Sequence, residues 1–306
     1  MRTVPPAEQI PPSGAGRVVW DGWRSAWFGT FVVAAVAGAV PAAIRAPGAV
    51  ALCGVTTALT LCAGHSVGIH RGLIHRAYHV PRWLEHALVY LGVLVGLGGP
   101  IGLVRIHNTR DHQQNQPACH DFFAHRQAAW RDYFWNLHCR FEFRIPFDPR
   151  VDSQIARDGF YRFLERTWRW QQLPWALLFL VVGGWPWLVW GTFVRVAVST
   201  TGHWFVGYVA HRTGYQAFAN QGAAVQGWNS ALLGAISMGE GWHNNHHTYP
   251  GSARIGIRWW EIDAGWWFIA VLRALGLARD VRLPGDETRT ASATPVKDGR
   301  RTRCCR

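Results

Sequence analysis

Three histidines near the C-terminal end of the chain could hold a metal ion together. They lie in the stretch Gly-Glu-Gly-Trp-His243-Asn-Asn-His246-His247-Thr-Tyr-Pro, at spacings of three and four residues. On a helical turn this spacing puts the three imidazole rings on one face. Imidazole is a ligand that suits iron, zinc and copper. The motif therefore predicts a transition-metal site.

Further histidines lie beside apolar runs of the chain. His70 and His75 follow the second run, and they can share one site if the helix ends or bends between them. His203 lies inside the last run, where an ionisable side chain is costly unless it has a partner. A third group begins where the apolar run 88–104 ends. Its members are His107, His112, His120 and His125. These histidines are candidates to share a site with the C-terminal motif.

The elements that must position these histidines are long apolar helices. The chain has 306 residues, of which 49% are hydrophobic and only 16% charged. Its 19 tryptophans favour a membrane–water interface. A helix of about 20 apolar residues spans the hydrocarbon core of a bilayer. The apolar runs cover residues 26–44, 49–64, 88–104, 173–194 and 196–210. We therefore predict an all-α integral membrane bundle of about four transmembrane helices in two hairpins, with a helical cap that carries the histidines.

Charge and composition indicate the sides of the membrane and the limits of the domain. The net charge is +13, and the arginines between the runs place the cap and both termini in the cytoplasm by the positive-inside rule. The apolar runs argue against nucleic acid as a partner, and the cysteine spacing argues against a zinc ribbon or a disulfide framework. We expect a flexible lead-in over 1–22, one membrane domain over 23–284 and a disordered tail over 285–306.

The histidine motifs resemble those of the membrane-bound fatty acyl desaturases, most closely the delta-9 branch that acts on acyl-CoA or acyl-lipid. The resemblance lies in Gly68-Ile-His70-Arg-Gly-Leu-Ile-His75, in Gly98-Gly-Pro-Ile-Gly-Leu-Val-Arg-Ile-His107, and in the C-terminal motif. It implies an O2-dependent desaturase with two irons held by histidine boxes. It also implies an external electron donor, such as a ferredoxin or a small haem protein. We expect a bacterial inner membrane protein.

Carried over residue by residue, the resemblance implies a set of metal ligands. The matching histidines are His70, His75, His107, His203, His243, His246 and His247. The second box departs from the family pattern, because Arg110 and Asp111 stand where two histidines are expected. Asp111 can ligate iron, whereas an arginine cannot. His112, His120 and His125 are nearby reserves.

The substrate and the outcome of the reaction stay open at this point. Arg71, Arg76 and Arg105 are candidates to bind the phosphate of a CoA or phospholipid head group, although arginines also flank membrane helices for topology alone. The altered second box leaves two alternatives to a desaturase. One is a hydroxylase on the same scaffold, and the other is a metal-poor, non-catalytic relative.

Overall fold

The first two apolar runs form a helical hairpin in the computed structural model, which describes residues 16–149, 151–286 and 293–296. Helix α1 (Gly22–Arg45) begins at Asp21, whose carboxylate accepts a hydrogen bond from the backbone of the first turn. After a turn at Pro47, helix α2 (Gly48–Leu59) continues into a π-helix, π1 (Thr60–Ile74). This long helix carries the first pair of histidines at its end.

A cap of short elements follows the first hairpin and is tied to it closely. Gly68 of π1 lies so near the next helix that a Cβ atom there would be 2.6 Å from the carbonyl carbon of Leu88. The elements, in order, are α3 (Arg82–Val93), α4 (Pro100–Gln114), α5 (Asp121–Ala124), α6 (Ala129–His138), α7 (Ser153–Arg157) and α8 (Gly159–Thr167). The third apolar run is thus divided between α3 and α4 and forms no spanning helix.

The last two apolar runs form a long helical segment that is broken once and folds back on itself. It consists of α9 (Gln172–Leu188), a second π-helix π2 (Val189–Val194) and α10 (Arg195–Ala210). The chain reverses at Gly184, which has a φ of 67° that glycine adopts without strain. As a result, Arg195 donates a hydrogen bond of 2.5 Å to Gln172 Oε1, 23 positions earlier in the chain. The segment is therefore a second hairpin, but its turn lies at Gly184, inside the run 173–194, and not at the break between the two apolar runs at Arg195.

Three helical segments are long and apolar enough to cross a membrane: Gly22–Arg45, Gly48–Ile74 and Gln172–Ala210. The fold at Gly184 divides the third into two arms, which gives four apolar helices in two hairpins. Large apolar side chains on α1 point outward, and Val36 is 79% exposed. Such exposure suits lipid rather than water as the surrounding medium. The all-α bundle predicted from the sequence is confirmed.

The C-terminal part of the chain completes the cap. It contains the helices α11 (Ala231–Ile236), α12 (His243–Thr248) and α13 (Ala264–Ala274). Buried apolar residues of α13, among them Ile269, pack against π1 and α3. In addition, Asp263 begins α13 and forms a buried ion pair of 2.8 Å with Arg71 of π1. This ion pair ties the segment between α12 and α13 to the end of π1.

Two small antiparallel sheets are the parts of the described chain that depart from a purely helical fold. Strand β1 (Gly16–Trp20) pairs with β2 (Cys139–Phe143), and β3 (Phe218–Asn220) pairs with β4 (Ala293–Pro295). The expected lead-in and tail thus contribute β1 and β4 as strands rather than as flexible chain. The remainder of both predictions falls on residues 1–15, 287–292 and 297–306, which lie outside the described residues.

Candidate metal centre

Four histidines from three elements form the first cluster, here called the tetrad. They are His70, His75, His107 and His246, and their ligand nitrogens all lie within 4.8 Å of one another. His70 and His75 come from the end of π1. In a π-helix the backbone bonds residue i to i+5, and His75 N donates to His70 O at 3.0 Å. Consequently, two histidines five positions apart face one point, with ring centroids 4.8 Å apart.

Three further histidines form a second cluster, here called the triad. They are His211, His243 and His247. The Nε2 atom of His243 lies 3.1 Å from that of His211 and 3.0 Å from that of His247. Three imidazole nitrogens at this spacing can hold a cation between them when their lone pairs face one another.

Helix α12 supplies ligand candidates to both clusters. His243 and His247 are four positions apart and face the triad, whereas His246 faces the tetrad. The C-terminal motif therefore does not converge on one point, as its spacing suggested, but stands between two sites. Buried asparagines hold the helix in place: Asn244 Oδ1 accepts from two backbone amides, and Asn245 donates to Glu261 at 2.9 Å.

The electrostatics of both clusters favour neutral imidazoles. Burial, reinforced by neighbouring histidines, lowers the pKa of His75, His211, His243 and His246 well below the usual value. Burial lowers the pKa of His107 to about 4, although Asp111 opposes the shift. Neutral imidazole is the form that binds metals. The ring nitrogens His75 Nε2 and His246 Nδ1 are also buried without a hydrogen-bond partner, which a metal ion would provide.

Carboxylate and carbonyl groups orient some of these rings. Glu240 Oε2 lies 2.6 Å from His70 Nδ1, and its Oε1 accepts from Ser66 at 2.6 Å. Burial alone would raise the pKa of Glu240, but His70 and Arg71 outweigh burial and hold that pKa below its usual range. His211 Nδ1 lies 3.3 Å from the carbonyl of Gln226. Such outer contacts orient the rings of metal-binding histidines.

The structure does not bring His203 or His112 into either cluster. His203 lies in the middle of α10, and its ring packs against His65 at 4.8 Å. His112 stacks on Phe147 at 4.9 Å. The resemblance implied that His203 is a ligand. The histidine of this part of the chain that reaches a cluster is instead His211, which directly follows α10. Its position just after an apolar run could have identified it, because the other clustered histidines also lie at or beyond the ends of apolar runs.

Other predicted residues lie near the clusters. Asp111 Oδ2 lies 3.3 Å from His107 Nδ1, beside the tetrad. His125 lies next to the triad, with its ring stacked on that of His211 at 5.6 Å. His120 accepts a hydrogen bond from the backbone of α5 and stands apart from both clusters.

The three arginines proposed for head-group binding have different surroundings. Arg71 is 1% exposed and bonds to Asp263, Glu240 and backbone carbonyls, so it is excluded from contact with a head group. Arg76 is half-buried and pairs with a glutamate at 3.3 Å. Arg105 is half-exposed and pairs with Asp148 at 2.7 Å.

An apolar cavity of about 360 Å³ adjoins both clusters. Its wall includes histidines of both clusters and then apolar residues such as Leu61, Val198 and Phe205. Along α2 and π1 the lining runs from Thr57 to His70, a rise of at most about 20 Å. The cavity thus extends from the histidines into the membrane-spanning part of the bundle, where a long apolar group would fit.

The sequence of this chain is similar to those of several known proteins. The family model described as fatty acid desaturase matches residues 45–279. The chain is 39% identical over 221 residues to an sn-2 palmitoyl-lipid 9-desaturase from Nostoc sp. (strain 36), covering 71% of this chain and 76% of that protein. It is 37% identical over 225 residues to an sn-1 stearoyl-lipid 9-desaturase from Synechocystis, covering 72% and 68%. It is also 33% identical over 237 residues to an acyl-CoA C20 Δ5-desaturase from Anemone leveillei, covering 77% and 72%.

Proposed function

The chain belongs to the fatty acid desaturase family, and we propose that it inserts a double bond into the acyl chain of a lipid or acyl-CoA at a histidine-bound pair of irons. It is a membrane protein and an oxidoreductase. The reaction would consume O2, two electrons and two protons, and release two waters for each pair of hydrogens removed. The observation that carries the proposal is the meeting of two histidine clusters with one apolar cavity.

In this proposal the tetrad holds one iron and the triad holds the other. Bound iron supplies the activation of O2 that removal of hydrogen from an unactivated methylene requires and that side chains cannot supply. The histidines contribute neutral lone pairs, and Glu240 keeps the ring of His70 in its ligating orientation. Since imidazole also suits zinc and copper, iron is assigned here from the family rather than from the donor set.

Asp111 is proposed as an additional ligand near the tetrad. Its carboxylate oxygen lies 3.3 Å from His107 Nδ1 and lines the cavity, and a carboxylate is a suitable iron ligand. The side chain is half-exposed and lies beside one histidine of the tetrad. Asp111 would then replace one of the two histidines that the second box lacks.

The cavity is proposed to hold the acyl chain. Its apolar wall would exclude water from the reacting carbons, and its position beside both clusters would bring part of a straight acyl chain near the metals. Arg76 and Arg105, which lie outside the buried core, are the candidates for contact with a phosphate-bearing head group. The relatives differ on this point, since two act on lipids and one on acyl-CoA according to their names.

Electrons would come from a separate protein, such as a ferredoxin or a small haem protein. A cytoplasmic position of the clusters and of both termini in a bacterial inner membrane would give such a donor access. The support for this orientation is the concentration of arginine in the segments between the apolar helices.

Lipid analysis of cells that express the chain tests the proposed function. Monounsaturated acyl chains should appear with the wild type and be absent with His243→Ala, which removes a triad histidine. Turnover that persists in His243→Ala would contradict a role for the triad in the reaction. Product analysis by mass spectrometry also gives the double-bond position and the lipid class.

Hydroxylation is a second candidate because the second box has Arg110 and Asp111 in place of two histidines. A changed ligand set alters how an oxidant partitions between transfer of a hydroxyl group and removal of a second hydrogen. Hydroxylated acyl chains in place of unsaturated ones would identify this activity. A purified chain with less than one bound iron would favour the third candidate, the metal-poor relative.

A further inference from the structure

His125 occupies an unusual position beside the triad. It follows α5 with a φ of 53°, in the left-handed region that residues other than glycine rarely adopt. Its ring is 1% exposed and lies parallel to that of His211, with 9° between the planes and 5.6 Å between the centroids. Such backbone strain persists where the surrounding structure enforces it, and functional sites are where it concentrates.

The two ring nitrogens of His125 have different surroundings. Nδ1 lies 2.8 Å from Asp132 Oδ1, whereas Nε2 is buried without a hydrogen-bond partner. With Nδ1 donating to the carboxylate, a neutral imidazole carries its free lone pair on Nε2. Nε2 faces α10 at Gly207, where even a Cβ atom would be 3.5 Å away. A residue with a longer side chain there would fill the space next to Nε2.

Asp132 is held in a network that includes the altered second box. It is fully buried, and its Oδ1 also accepts hydrogen bonds from Trp204 at 2.8 Å and from Asn136 at 3.2 Å. Asn136 Oδ1 in turn accepts from Arg110 at 3.1 Å. The arginine that replaces an expected ligand therefore helps to hold the partner of another histidine. A buried carboxylate with such partners fixes the orientation of the ring that it contacts.

We propose that His125 Nε2 is a further donor for the metal of the triad through one water, and that Asp132 positions it. This inference rests on the proposed function, since it concerns the same metal centre. It gives the triad a nitrogen donor from α5 in exchange for the one that Arg110 removes from α4. Arg110, Asn136 and Asp132 then form the support of the replacement donor.

Metal titration of the purified protein in detergent tests the proposal. The metal-free protein is titrated with Co²⁺, whose visible absorption depends on the ligands, and its iron content is measured after reconstitution with Fe²⁺. His125→Ala and Asp132→Asn should each weaken one of the two sites by about 10–100-fold, the usual effect of losing such a contact, and leave the other unchanged. His138→Ala is the control, because its ring stacks on Phe134 away from both clusters.

The outcomes distinguish this inference from the proposed function. Unchanged affinities and an unchanged Co²⁺ spectrum in His125→Ala would overturn the donor role, even with full desaturase activity. Asp132→Asn keeps the shape of the side chain, so it provides the same test if His125→Ala fails to fold. A wild-type protein that binds no Co²⁺ or Fe²⁺ would overturn both proposals. Wild type that binds two metals, with one weakened in His125→Ala, supports the donor role even if lipid analysis shows no unsaturation.

Discussion

Replacement of His211 by alanine gives the sharpest test of how the histidines are grouped. The Nε2 atom of His211 lies 3.1 Å from that of His243, so the substitution removes one nitrogen donor from the triad. We expect one of the two metals to bind more weakly and the metal of the tetrad to bind as before. The matched control is His203→Ala, which removes the same group from the middle of α10, where the ring packs against His65 and belongs to neither cluster.

The expected loss of metal affinity can be estimated from structural zinc sites. Four protein ligands there contribute an apparent binding free energy of about 10–16 kcal/mol, or roughly 2.5–4 kcal/mol for each ligand. Because about 1.4 kcal/mol corresponds to a tenfold change in affinity, His211→Ala should weaken one site by about 10²- to 10³-fold. His203→Ala should leave both affinities unchanged, since its ring supplies no donor to either cluster.

The measurement is an anaerobic Fe²⁺ titration of both variants, with bound iron determined after gel filtration. His211→Ala should lose one of the two irons on the column, while His203→Ala should retain both. The reverse result, with iron lost from His203→Ala and retained by His211→Ala, would refute the grouping of the triad. It would support the ligand set that the sequence resemblance alone implies.

Three further predictions concern the second box, the cavity and the buried ion pair. Asp111→Ala should lower the iron content and activity, whereas His138→Ala should change neither; equal iron content in both variants would exclude Asp111 as a ligand. Thr57→Trp should shift the products towards shorter acyl chains, because it fills the end of the cavity far from the histidines; an unchanged chain-length profile by gas chromatography would place the substrate elsewhere. Arg71→Ala should reduce stability by about 3–5 kcal/mol, because it leaves a buried carboxylate without its partner. This loss should lower the melting temperature far more than Arg76→Ala, which breaks a more exposed pair worth about 1 kcal/mol or less.

The helical bundle was predictable because its signal is local. Uncharged runs of a length that spans a bilayer identify helices without knowledge of their partners. The first hairpin turn was also within reach, since Pro47 interrupts the apolar sequence. The second was not, because Gly184 lies inside the continuous apolar run 173–194. The division of the third run between α3 and α4 also has a local signal. Gly96 takes a φ of 90° between the two helices, and Pro100 is the first residue of α4.

The histidine clusters were predictable in their residue types but not in their grouping. Spacing put His243, His246 and His247 on one face of a helix, but it could not show that this face lies between two clusters. The π-helical backbone that brings His70 and His75 together leaves no clear signal in the residue pattern. His211 was missed because it stands alone in the sequence, in no motif of regularly spaced histidines. The contacts of His125 depend on a turn with a positive φ and on Asp132, seven residues later.

The grouping of the histidines also explains why the departure in the second box is compatible with a two-metal centre. The tetrad takes only His107 from that box, since its other members come from π1 and α12. The triad takes no residue from the box and draws on α12 and on the residue that follows α10. Arg110 therefore stands in neither cluster, and through Asn136 it supports Asp132, the partner of His125. The chemistry of such a site would depend less on the second box than on the two neighbouring faces of α12.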